Sequence, residues 1–175
     1  MKLGLVRHFK VECAHDVWLS ATEFRRWAAA YDLAPIRANE RQVDPAEWDR
    51  CYCSDLPRAV ETARILYDGP TTPLALLREV RIAPVCESAL PLPFLFWMTA
   101  GRIAWWANFA SQPESRAQTR RRVTRFLSEL PSSGNLLIVS HGFLMAEMQR
   151  QLLADGFSGD SFTRAENGKL YRFER

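Results

Sequence analysis

Apolar residues fall along this chain in two kinds of run. "KLGLV" at 2–6 and "NLLIVS" at 135–140 are short and nearly continuous, the pattern of strands covered on both faces. "DRCYCS" at 49–54 and "PLALL" at 73–77 predict two more strands, and "KLYRFE" at 169–174 alternates as a final one. Between them the period changes to that of a helix. In "SATEFRRWAAAYDL" Phe24, Trp27, Ala28 and Tyr31 share a face, with Ser20 or Thr22 placed to cap it. "DLPRAVETARILYD" carries Pro57 in its first turn and Gly69 just past its end. "ESRAQTRRRVTRFLSEL" has Val123, Phe126, Leu127 and Leu130 as its stripe and a capping box in Ser115 and Gln118. "GFLMAEMQRQLLAD" completes the set. Strands alternating with helices, without a repeat or a Gly/Ser linker, predict one α/β domain over residues 1–175. Its architecture is a three-layer sandwich with a mostly parallel central sheet.

In such sheets ligands gather outside the carboxyl ends of the strands. Here Arg7 and His8 follow the first strand, Ser54 and Asp55 the second, Arg78 and Glu79 the third, and Ser140 and His141 the fourth. Two histidines, several arginines and a carboxylate are thus expected on one rim.

Composition narrows the partners only a little. The net charge is +3, and 20 of the 23 basic residues are arginine, whose planar fork suits phosphate and carboxylate but whose abundance also follows from GC-rich coding. Arg120, Arg121 and Arg122 fan around more than half of their helix, which is a solvated face and not a nucleic-acid stripe. Cys51 and Cys53 have no second pair at metal-ligand spacing, so the four cysteines read as buried free thiols in a reducing compartment. The N-terminus lacks the apolar stretch of a signal peptide. "ALPLPFLFWMTAG" holds two prolines and is too short to span a bilayer. A cytoplasmic protein with no membrane and no nucleic-acid partner is expected.

Taken together, "LVRHF", "SDLPRAVETARIL", "LLREV" and "LIVSHGF" resemble, in order and over nearly the whole chain, the histidine phosphatase superfamily, the phosphoglycerate mutase-like fold. The resemblance implies a phosphatase acting on a small phosphorylated molecule, with His8 as nucleophile and phosphohistidine carrier. A neutral imidazole nitrogen is nucleophilic near neutral pH and its bond to phosphorus is labile. Arg7 and Arg58 are the implied clamps on the phosphoryl oxygens, and His141 an implied hydrogen-bond donor to the same group. Glu79 is the implied acid for the leaving oxygen and base for water. Neither a metal nor another cofactor is implied, because the arginines provide the positive charge.

Other readings stand beside these. Arg58 has Asp55 and Glu61 within reach along its helix, Glu79 has Arg78 and Arg81 beside it, and His141 precedes Gly142 as a helix cap would. A phosphoglycerate mutase-type phosphotransferase and a catalytically weak binding or interaction protein are the alternative functions; the chain lacks room for the insertions of the mutases. The sequence departs from the family at Phe9, where a glycine is usual, which places a bulky ring beside the site. Glu87 lies close to a second acidic position of the family. His15 matches nothing and reads as a surface or loop histidine. Phe94, Phe96, Trp97, Trp105 and Trp106 form core, an apolar lid or the face of a homodimer.

Overall fold

A computed structural model of the protein describes residues 1–38 and 43–175. The first half runs β1 (Lys2–Arg7), β2 (Lys10–Val11), β3 (Trp18–Leu19), α1 (Ala21–Leu33), β4 (Ile36–Arg37), β5 (Arg50–Ser54), α2 (Pro57–Leu66) and β6 (Thr71–Leu74). The second runs β7 (Leu92–Pro93), α3 (Phe94–Trp106), α4 (Arg116–Ser128), β8 (Asn135–Ser140), α5 (Gly142–Ala154), β9 (Ser158–Gly159) and β10 (Leu170–Glu174). The main sheet has the order β6-β5-β8-β1-β10-β9. Its first four strands are parallel, and β10 and β9 close the far edge antiparallel.

The alternation of β1 and β8 sorts their side chains to two buried faces. Leu3, Leu5, Leu136 and Ile138 meet Val123 and Phe126 of α4 and Leu144, Met145 and Met148 of α5. Val6, Leu137 and Val139 point the other way, with Cys51 and Cys53 against Ala59, Ala63 and Leu66 of α2. This is the expected three-layer sandwich. All four cysteines are free thiols, but only Cys51 and Cys53 are buried as expected, in the sheet; Cys13 is half-buried and Cys86 exposed, both in loops. Gly4 is required on the α2 face, since a Cβ there would run into Trp48 and Leu170.

Both expected capping boxes are formed, Ser20 with Glu23 and Ser115 with Gln118, and Pro57 stands in the first turn of α2. The third strand differs from its expected span. It covers Thr71–Leu74, and Ala75–Leu77 turn into a 3-10 helix. β6 is an edge strand whose pairing stops at Ser54–Leu74, where β5 ends, so the residues beyond have no ladder to join.

The aromatic segment, in which the sequence shows no helical stripe, forms α3 over Phe94–Trp106. Its faces divide the readings. Trp97 packs with Leu19, Ala21 and Phe24 in a separate small core and donates from Nε1 to the Leu19 carbonyl. Trp105 is buried, donating to Thr119 Oγ1, whereas Phe96 and Trp106 are exposed, Trp106 by 61%. The arginine triplet fans around α4, but it is not wholly the solvated face expected of it: the exposed Arg120 pairs with Glu147, whereas Arg122 turns inward to Glu114 and is only 16% exposed. Among the described residues, no helix is long and apolar enough to cross a membrane.

Candidate active site

The parallel strands bring their carboxyl ends to one rim. Arg7 closes β1 opposite Ser140 of β8 in the ladder, and Ser54 closes β5. A cleft of about 1260 Å³ opens above this rim, lined by Arg7, His8, Arg58 and Glu79 among others. Its volume is above the range of about 300–1,000 Å³ common for small-molecule sites.

His8 is only 2% exposed, and its Nδ1 lies 2.6 Å from the carbonyl of Phe9. A carbonyl only accepts, so Nδ1 carries the ring proton and Nε2 keeps its lone pair. Burial, then the charge of Arg58 and more weakly that of Arg7, hold the His8 pKa down at about 3. The ring is a neutral imidazole at physiological pH. The backbone around it is pinned from two directions. Asn167 Nδ2 donates to the His8 carbonyl at 2.6 Å, and the Phe9 amide donates to Thr62 Oγ1 at 3.0 Å.

Phe9 itself corrects the expectation that its ring crowds the site. The side chain is fully buried on the α2 face of the sheet, in the cluster that holds Val6, Trp48 and Ala63. Only its backbone serves the rim.

His141 is completely buried beside His8, with ring centroids 5.0 Å apart and planes at 58°. Burial first, then His8, Arg58, Arg7 and Arg122, push its pKa far below the usual histidine value. It is the N-cap residue of α5, but its side chain makes no cap hydrogen bond, and both ring nitrogens lack a partner. The buried Nε atoms of Arg7 and Arg58 also lack one. Buried polar atoms are ordinarily satisfied, so four orphans in one place mark a surface built for a ligand rich in acceptors.

Neither local pairing considered for Arg58 occurs. Its Nη1 reaches across to Asp32 of α1 at 2.8 Å, and its guanidinium lies over Tyr31. Arg7 Nη1 donates to the Ala165 carbonyl at 2.9 Å. Arg78 forms a fork with Asp55, both contacts 2.6 Å, which leaves Glu79 to the cleft.

The Glu79 carboxylate takes the place of the missing cap at α5. Oε1 accepts from the amides of Val80 at 2.9 Å and Leu144 at 3.3 Å, and Oε2 from that of Phe143 at 3.4 Å. Glu87 is elsewhere: it is exposed and paired with Arg25. His15 lies in a loop and is exposed, as expected, but its ring stacks on Phe94 at 3.8 Å and lines the cleft with Trp27 and Tyr31. Among the described residues, no group of three or more His, Cys, Asp or Glu side chains could hold a metal ion.

Asn167, Thr62, Asp32, Trp27 and Tyr31 join the site without a sequence signal that marks them as site residues. Thr62 lies inside "VETARIL", where its motif was visible but its role was not; Trp27 and Tyr31 were visible only as a helix stripe.

The family model of the histidine phosphatase superfamily (branch 1) matches residues 33–175. The adenosylcobalamin/alpha-ribazole phosphatase of Salmonella typhi is 28% identical over 172 residues, covering 88% of this chain and 80% of that protein. The alpha-ribazole phosphatase from Shigella flexneri shares the fold with a TM-score of 0.57 at 23% identity, over 98% of this chain and 89% of that one. Mycobacterial glucosyl-3-phosphoglycerate phosphatase does so with a TM-score of 0.58 at 20% identity, over 98% and 88%. The chain belongs to the histidine phosphatase superfamily. It is accordingly a phosphoric monoester hydrolase of the phosphohistidine type.

Proposed function

We propose that His8 is the histidine that carries the phosphoryl group, with Arg7, Arg58 and His141 as its cradle and Glu79 as the proton donor and acceptor. In the first step His8 Nε2 attacks phosphorus, the ester P–O bond breaks, and the leaving oxygen takes a proton from the Glu79 carboxyl group. In the second, water attacks phosphorus, the N–P bond breaks, and the proton of water goes to Glu79. The observation that carries this reading is the set of unpartnered buried nitrogens on Arg7, Arg58 and His141 beside the lone-pair nitrogen of His8. Donors held in place before the phosphoryl group arrives stabilise its transition-state charge without reorganisation.

The substrate in this reading is a small phosphomonoester with an apolar or aromatic group next to the phosphate. Trp27, Phe94 and Trp106 on the cleft wall support that choice. Four free cysteines are in keeping with a reducing compartment such as the cytoplasm. The exposed Leu95 and Phe96 of α3, which lie outside the cleft, are in keeping with a homodimer, which sedimentation equilibrium measures.

The test of the substrate class compares phenyl with 1-naphthyl phosphate, whose leaving groups have comparable basicity, alongside glycerol 2-phosphate and alpha-ribazole phosphate. A higher kcat/KM for the naphthyl ester, reduced by Trp27→Ala, is expected. Equal values for the two aryl esters contradict the apolar wall as a binding surface.

A further inference from the structure

Glu79 stands on a stretch of chain that no strand or helix holds. Residues 78–80 follow the 3-10 turn at Ala75–Leu77 and precede no regular element before β7. Carbonyls in such a stretch still need donors, and here side chains from three other elements supply them. Arg122 of α4 donates from Nη1 to the Leu76 carbonyl at 2.6 Å and to that of Arg78 at 2.8 Å. Ser140, at the end of β8, donates to the Leu77 carbonyl at 2.9 Å. Arg102 of α3 donates to the Val80 carbonyl at 2.9 Å. Every carbonyl from 76 to 80 except that of Glu79 itself is held in this way.

Arg122 does most of this work, and it is itself fixed. Its Nε and Nη2 form a fork with Glu114, at 3.0 Å and 2.9 Å, and the two side chains are only 16% and 20% exposed. The guanidinium therefore spends one edge on a carboxylate and its remaining nitrogen on two carbonyls that precede the acid, those of Leu76 and Arg78. A lysine ammonium cannot copy that planar arrangement.

We propose that Arg122, clamped by Glu114, is a positioning residue for Glu79, and that its loss is expressed in proton transfer to the leaving oxygen. The inference rests on the reading of Glu79 as the proton donor. Proton transfer tolerates little misplacement of the donor, whereas an aryl leaving group departs without much help. Arg122 also bears weakly on His141 through its charge, but a change there alters attack on phosphorus and falls equally on all esters.

The experiment measures kcat/KM on glycerol 2-phosphate and 4-nitrophenyl phosphate for the wild type, Arg122→Ala, Arg122→Lys, Glu114→Gln, Glu79→Gln and the Glu79→Gln/Arg122→Ala double variant. Thermal unfolding is followed on the same preparations. Arg122→Ala is expected to lose about tenfold or more on the alkyl ester and about threefold or less on the aryl ester. Arg122→Lys and Glu114→Gln should show the same skew at smaller size, and they carry the comparison if Arg122→Ala does not fold. In the Glu79→Gln background the skew should vanish, because the two residues act through one proton transfer. Equal losses on both esters, or no loss, overturn the positioning role. If Glu79→Gln itself lacks the alkyl-specific loss, it is the assignment of the acid that fails; if Glu79→Gln shows it and the Arg122 and Glu114 variants do not, only the positioning role fails.

Discussion

The imidazoles of His8 and His141 sit side by side in the buried rim, centroids 5.0 Å apart, and both are held as neutral rings by burial and by the guanidinium charges around them. A protonated His8 has no lone pair to offer, so the same features that make the pair costly to bury keep the nucleophile available.

This arrangement links stability to pH. The folded-state pKa of His8, about 3, lies below its unfolded value, so the unfolded chain takes up the proton first as pH falls. Stability is therefore expected to decline from about pH 6.5 downward, by about 1.4 kcal/mol per pH unit for one such group. His8 alone contributes a loss of about 2 kcal/mol between neutrality and about pH 5, and His141 adds to it in the same direction. Urea unfolding at the two pH values measures the difference. An unchanged unfolding free energy means that the two rings are not buried as neutral bases.

Glu79 is the acid that the family resemblance implies and Glu87 lies close to a second acidic position of the family; their surroundings separate them. Glu79 is fixed at the head of α5 in the cleft, and Glu87 is paired with Arg25 at the surface. Glu79→Gln is expected to lower kcat/KM on an alkyl phosphate by about 100-fold, and distinctly less on 4-nitrophenyl phosphate. Glu87→Gln should stay near wild type on both. A large loss from Glu87→Gln with none from Glu79→Gln reverses the assignment.

Phe9 was expected to disturb the site and instead packs the α2 face of the sheet, with no solvent exposure. Restoring the family's glycine by Phe9→Gly removes a buried ring and should cost at least about 3–5 kcal/mol in unfolding free energy. At temperatures where the variant is folded, its kcat/KM should not exceed that of the wild type. A gain in turnover with little loss of stability contradicts this reading.

The strands and most helices were legible because each buries one continuous or periodic set of apolar residues. Leu136 to Val139, buried in the centre of the sheet, could only read as a covered strand. The rim was legible for the same reason: once the strand ends are placed, Arg7, His8 and His141 follow by topology, whereas Glu79 reaches the rim only through the 3-10 turn at Ala75–Leu77 beyond the end of β6. What failed was local. α3 was hidden by prolines at 91 and 93 and by an almost uniformly apolar sequence, which carries no helical stripe to read. The direction of Phe9 could not be read, because a one-residue change of course after β1 decides between core and cleft. Asp32 for Arg58 and Asn167 for His8 come from 26 and 159 residues away, a separation that no local pattern reports.

The most direct test of the site is to trap the phosphoenzyme. Wild-type protein mixed with 32P-labelled substrate and quenched in denaturant should retain label that is stable to base and lost in acid, the behaviour of a phosphorus–nitrogen bond, and His8→Ala should retain none. Label on His8→Ala at the wild-type level contradicts His8 as the phosphorylated residue.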